Sequence, residues 1–122
     1  MITIIHGDNV AESREQFFQL KSEMKNPLSM EGSSLDQNQL LNFFESTDMF
    51  FTEKNLTVEN FLSKNKQSKK LDVIVEIFNK NSKNTNILFW EEKELTLKTL
   101  NSFPNAQIQG FKIPKIIFNF LD

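Results

Sequence analysis

Short apolar blocks recur along this chain, and their period switches between that of a strand and that of a helix. Residues 2–6 form a short apolar run closed by Gly7-Asp8-Asn9, the pattern of a buried strand followed by a turn. Behind the turn, Val10, Phe17, Leu20 and Met24 recur at intervals of seven, three and four, which sets them on one side of a helix. Asp8 or Asn9 is placed to cap it, and Pro27 to end it. Residues 28–30 predict a short strand with Gly32 as the turn after it. Ser34-Leu35-Asp36-Gln37 matches a capping box, with Ser34 as cap and Gln37 reaching back, ahead of a second helix whose stripe is Leu40, Leu41 and Phe44. Residues 48–51 read as a separate short turn, 55–60 as a strand and 61–70 as a polar, lysine-rich connection. Residues 70–79 suit two readings. Leu71, Ile74, Val75 and Phe78 fit a helix face, whereas Val73, Ile74, Val75 and Ile77 are β-branched and suit a strand. The helix is the reading adopted, with Ser68 as its cap. A buried strand follows at 86–90, a short helix at 94–100 and a last strand at 106–111, and Pro114 opens a final helix.

Strand and helix thus alternate about five times, which predicts an α/β fold with a five-stranded parallel sheet and helices on both faces. No internal repeat and no linker before residue 112 interrupts it. At 122 residues the chain suffices for one core. It has no Cys, hence no disulfide framework and no thiolate metal site. No apolar run nears the roughly 20 residues that span a bilayer, and the first residues carry neither a basic stretch nor a cleavage pattern, so a cytoplasmic location is expected. Net charge is −2 and Arg14 is the sole arginine, which speaks against direct DNA binding as the main task.

A strand, a glycine and a helix are where many α/β proteins hold phosphate. Counted from Gly7, however, Glu12 stands where a P-loop has its second glycine, Ser13 where it has lysine and Arg14 where it has Ser or Thr. The carboxylate repels phosphate, and no lysine reaches it. The strand at 55–60 ends in Glu59-Asn60 and lacks the acidic pair that would hold Mg²⁺ through water. Neither half of a nucleotide site is intact, so no nucleotide, metal or other cofactor is expected.

Other chemistry competes with plainer explanations. His6, the only histidine, lies close to Asp8, and Glu91-Glu92 follows a strand end where α/β sites gather. Together His6, Asp8 and Glu91 define one alternative, a small metal-dependent phosphoryl-handling enzyme. Against it, one histidine is too few for such a centre, and Glu91-Glu92 reads more simply as a solvated turn. Lys64, Lys66, Lys69 and Lys70 read as a solvated loop, and Trp90 as core. The segment 48–51 resists the plain reading. Met49, Phe50 and Phe51 stand together between polar flanks, and a short turn buries one or two of them at most. On the residues alone, core packing and partner binding stand about even there.

A series of segments, each short, carries a resemblance. Ile4-Ile5-His6-Gly7-Asp8-Asn9 followed by Ser13-Arg14, then Met30-Glu31-Gly32 and Leu40-Leu41-Asn42, come first. Asp48-Met49-Phe50-Phe51-Thr52-Glu53-Lys54-Asn55-Leu56-Thr57-Val58, Asn86-Ile87-Leu88-Phe89-Trp90-Glu91, the stretch 95–100 and Gln109-Gly110-Phe111 complete it. In order and over essentially the whole chain, these are similar to the N-terminal domain of the delta subunit of bacterial DNA polymerase III, a clamp-loader family. The resemblance implies a P-loop NTPase (AAA+)-like domain over 1–111 without a functional nucleotide site, Gly7, Glu12, Ser13 and Arg14 being its degenerate P-loop. It implies strand order 5-1-4-3-2 and no catalytic activity. Residues 112–122 would begin a helical lid, so that the chain is expected to be a fragment of a longer subunit. The family binds its sliding clamp, the beta subunit, through a Leu-Phe pair on the turn before the third strand and promotes ring opening in DNA replication. By position Met49 matches the Leu and Phe50 the Phe. Met for Leu departs from the pattern but keeps volume and apolarity; Phe51 is an extra aromatic beside the pair. The implied partners are the clamp and, for the full-length subunit, the clamp-loader ATPase subunits and delta-prime, with DNA met only indirectly. An α/β interaction domain with another partner is the remaining alternative.

Overall fold

The computed structural model describes residues 1–45, 54–62, 69–83 and 85–112. Five strands, β1 (Ile2–His6), β2 (Leu28–Glu31), β3 (Lys54–Glu59), β4 (Thr85–Trp90) and β5 (Gln107–Gly110), form one sheet in the order β2-β3-β4-β1-β5. Every pairing is parallel. The order is the one the resemblance implies, and the alternation of runs along the sequence predicted the parallel sheet. The helices are α1 (Val10–Glu23), α2 (Gln37–Glu45), α3 (Lys69–Asn81) and the single turn α4 (Leu97–Leu100).

The period-two geometry of strands sorts the apolar residues onto two faces. Ile2, Ile4, Met30, Leu56, Val58, Ile87 and Phe89 point to one face, where Leu40 of α2, Ile74, Val75 and Phe78 of α3, and Leu100 and Phe103 close the larger core. Phenylalanine rings run through that core in sequence: Phe44 to Phe78 at 6.4 Å, Phe78 to Phe89 at 4.9 Å and Phe89 to Phe103 at 5.4 Å between centroids. Such separations suit edge-to-face and tilted packing. Ile5, Leu88 and Trp90 point to the opposite face and are covered by α1 through Phe17 and Leu20, with Met24 just past its end. Helices therefore lie on both faces.

Several local expectations are corrected. Val10, placed on the buried stripe of α1, is 40% exposed as the first residue of the helix. Asn9 is the cap, its side-chain oxygen accepting the Glu12 amide at 3.3 Å, and the helix stops at Glu23, before Pro27. Ser34 does not cap α2. It closes a 3₁₀ turn, Gly32–Ser34, and its hydroxyl donates to the Glu31 carbonyl, while Asp36 supplies the carbonyl that accepts the Leu40 amide. Phe61 and Leu62, read as part of a polar connection, are buried in the larger core. The helix at 94–100 shrinks to one turn begun by Thr96, whose hydroxyl accepts the Thr99 amide at 3.3 Å. For 70–79 the helix reading holds: Ile74, Val75 and Phe78 are buried while Val73 is exposed, an amphipathic division that no strand of that sequence would give. The turn at 48–51, the cap Ser68, Lys64 and Lys66, and the helix opened by Pro114 lie outside the described residues.

Candidate functional site

In parallel α/β sheets ligands gather beyond the carboxyl ends of the strands. Here each of those ends is engaged by the chain itself. After β1, Gly7 has φ 137°, and a Cβ on it would sit 1.8 Å from the Phe111 carbonyl oxygen. Only glycine permits that approach. Its amide donates to the Lys93 carbonyl at 3.3 Å, and the Asn9 amide to the Phe111 carbonyl at 3.1 Å. The Glu12 and Ser13 amides are taken by the side chain and carbonyl of Asn9. These are the donors that a phosphate cradle would turn toward its anion.

The side chains of the loop agree with its backbone. Ser13, at the position a P-loop gives to lysine, is fully buried. Its hydroxyl accepts the Trp90 indole N–H at 3.1 Å and lies 3.2 Å from the Val10 carbonyl. Burying an indole needs such an acceptor, so Ser13 acts in the packing of α1 on the sheet. Glu12 and Arg14 are exposed on α1, and the Arg14 guanidinium lies 5.3 Å from the Phe18 ring centre.

Beyond β3 and β4 a second closure occurs. Asn60 takes a left-handed conformation, φ 56°, and its amide donates to the Trp90 carbonyl at 2.8 Å while its side-chain oxygen accepts the Glu92 amide at 3.1 Å. The turn drives Phe61 inward, so closely that a Cβ on Gly32 would lie 2.3 Å from the Phe61 backbone. Glu91, expected in a solvated turn, is 0% exposed, and its carboxylate accepts the Leu62 amide at 2.8 Å. A carboxylate tolerates burial when it is hydrogen-bonded in this way. Nothing in the local sequence separates Glu91 from its exposed neighbour Glu92; the partner that distinguishes them lies 29 residues away.

The proposed enzymatic trio is not assembled. His6 is buried, and its Nδ1 accepts the Leu95 amide at 3.0 Å. The charges that act on it are Glu94 and Lys112, which pair with each other at 2.9 Å. Burial lowers the imidazole below its ordinary pKa and Lys112 adds to this, against the opposing pull of Glu94. Glu91 turns instead toward the loop after β3. Among the described residues no three His, Cys, Asp or Glu side chains converge on a point where a metal could sit.

The amino ends of the strands differ. On the face covered by α1, a cleft of about 320 Å³ opens between the last turn of α1 and the starts of β1, β3 and β4, lined by Leu20, Met24, Asn55, Asn86 and Leu88 among others. The connection carrying Met49, Phe50 and Phe51 leaves α2 at Glu45 and returns at Lys54, the first residue of β3 and therefore at this same amino edge. Those three residues lie outside the described ones. Lys69 and Lys70 are exposed in the first turn of α3.

No family model matches the chain, and no curated protein matches it. Among the described residues no helix is long and apolar enough to cross a membrane.

Proposed function

We propose that this chain is a clamp-binding domain similar to that of the delta subunit of bacterial DNA polymerase III, acting through Met49 and Phe50, with Phe51 beside them, on a sliding clamp. The observation that carries the reading is a sheet of order β2-β3-β4-β1-β5 in which the Gly7, Asn9, Glu12 and Ser13 amides after β1 are taken by Lys93, Phe111 and Asn9. The strand order is the one the resemblance implies. The loop is what an AAA+-like domain would have if it had given up nucleotide binding. Closure of the carboxyl edge by Glu91 and the 60–62 turn supports the same conclusion and leaves the metal-dependent phosphoryl enzyme without its constellation.

In this reading the domain works by binding alone. Met49 and Phe50 enter an apolar pocket of the clamp, and desolvation supplies the affinity, as in a small hot spot. A ligand shifts a two-state partner only by its differential affinity for the two states. The domain therefore favours an open ring to the extent that its remaining contacts fit the open interface better than the closed one. No ATP is used in that step.

The double substitution Met49→Ala with Phe50→Ala should weaken binding to a sliding clamp by 2 kcal/mol or more, about thirtyfold, while calorimetry with ATP and Mg²⁺ gives no heat. Unchanged clamp affinity in the double variant rejects the proposal, and so does saturable nucleotide binding by the native chain.

A further inference from the structure

The sheet face under α1 is apolar at Ile5, Leu88 and Trp90 and changes character toward the amino ends of the strands. There the alternation of side chains brings Thr3 of β1, Asn55 of β3 and Asn86 of β4 to that same face. All three line the cleft of about 320 Å³ beside the last turn of α1. Its apolar lining comes from Leu20, Met24 and Leu88, and Glu23 and Lys25, both exposed, stand at its rim.

Hydrogen bonds fix how the two amides are turned. The Asn55 side-chain nitrogen donates to the Lys25 carbonyl at 2.7 Å, so its oxygen is the atom that accepts the Asn86 side-chain nitrogen, at 3.1 Å. Asn55, only 4% exposed, is engaged at both ends. Asn86 has given its nitrogen to Asn55, and its Oδ1 has no hydrogen-bond partner among the described residues. No buried side-chain polar atom among them lacks a partner, so this oxygen is accessible, on a residue that lines the cleft. An amide oxygen can only accept.

We propose that this cleft binds a small uncharged aromatic molecule bearing a ring N–H or O–H, which donates to Asn86 Oδ1 while the ring packs on Leu20, Met24 and Leu88. The volume falls at the lower end of the roughly 300–1,000 Å³ of small-molecule sites, and apolar walls with a few placed polar groups are their usual lining. The Met24 thioether favours an aromatic ring over an aliphatic one. The acceptor calls for a donor, and one charge of each sign at the rim leaves no net charge for a ligand to complement. No residue of the cleft belongs to the partner contact proposed above, so the two inferences stand or fall separately.

Indole, benzofuran and indene are bicyclic molecules of nearly one size whose edges carry a donor, an acceptor and neither. Each is titrated into the isotope-labelled full chain and followed by NMR. Indole should shift the amides of Leu20, Met24, Asn86 and Leu88 saturably, with a dissociation constant on the order of 1 mM, ordinary for so few atoms. Benzofuran and indene should bind about tenfold more weakly, because each covers the Asn86 oxygen without pairing it. Asn86→Leu should weaken indole about tenfold and bring indene level with it. Met24→Trp, which fills the cleft, should abolish binding of all three. Shifts that do not saturate or that gather elsewhere on the chain overturn the proposal. So do indene binding the native chain as tightly as indole, a preference for indole that survives Asn86→Leu, and native indole affinity in Met24→Trp. If Asn86 serves only to hold Asn55, Asn86→Leu lowers the thermal midpoint while the native chain fails to discriminate among the three molecules, which also overturns it. Should either variant fail to fold, the three titrations of the native chain decide.

Discussion

The two ends of this sheet are built differently. At the carboxyl ends every described loop is tied down by the chain: Gly7 beneath the Phe111 carbonyl, Gly32 against Phe61, Glu91 on the Leu62 amide and His6 on the Leu95 amide. At the amino ends a cleft remains beside Asn55 and Asn86, and the Lys54 ammonium donates to the Phe43 and Phe44 carbonyls at the end of α2. In α/β proteins that bind small ligands the open end is usually the carboxyl one. At the described carboxyl-end loops the polar groups are instead engaged by the chain itself and contribute to stability.

The closed end predicts steep costs for small changes. The largest belongs to Gly7. Gly7→Ala places a methyl group 1.8 Å from the Phe111 carbonyl oxygen on a backbone with φ 137°. Overlap and backbone strain together should destabilise the fold by on the order of 3–4 kcal/mol, which thermal or urea unfolding reads directly. A protein of native stability would mean that β5 and the loop after β1 do not meet as closely as described.

Glu91 sharpens the contrast. Glu91→Ala leaves the buried Leu62 amide without its acceptor and should cost about 1–3 kcal/mol. Glu92→Ala, one residue on and exposed, should stay within about 0.5 kcal/mol of native. Equal effects at the two positions would return Glu91 to the solvated turn that its sequence suggests and reopen the carboxyl edge as a site.

The difference between these neighbours also marks how far the sequence could be read. The strands were legible because the apolar runs within Ile2–His6 and Thr85–Trp90 are buried on both faces, and burial on both faces favours continuous apolar stretches such as Ile4-Ile5 and Ile87-Leu88-Phe89-Trp90. Helix α3 was legible despite its β-branched residues, since its apolar positions keep the 3.6-residue period and Val73 falls outside them. What escaped depends on partners far away in sequence. Glu91 is defined by Leu62. The capping box at Ser34 fails because Gly32 must press against Phe61, which winds the chain into a 3₁₀ turn first and delays α2 to Gln37. The burial of Phe61 and Leu62 follows from the left-handed turn at Asn60, which the lysine-rich residues after them conceal. For the candidate site, the absence of phosphate-binding residue types at Glu12 and Ser13 was readable, whereas the Ser13 hydroxyl as acceptor for Trp90 was not, because the two stand 77 residues apart.

His6 gives the smallest effect and tests whether the closed end is dry. Its Nδ1 can accept the Leu95 amide only while unprotonated, so the neutral ring belongs to the folded state. Burial accordingly lowers its pKa in the fold. The unfolded chain, with an ordinary imidazole, takes up a proton as pH falls through about 6.5, whereas the folded chain takes it up only at lower pH. Within that window the unfolded state binds more protons, and stability must fall with falling pH; below the folded pKa the loss levels off. The replacement His6→Gln, which keeps a side-chain acceptor but does not titrate, removes this component alone and leaves that of the carboxylates in place. Between pH 7.5 and 5.5 the native thermal midpoint should therefore drop by about 1–3 °C more than that of His6→Gln. Parallel pH profiles for the two proteins would show that His6 titrates as it does in water, and that the carboxyl end of β1 is open to solvent after all.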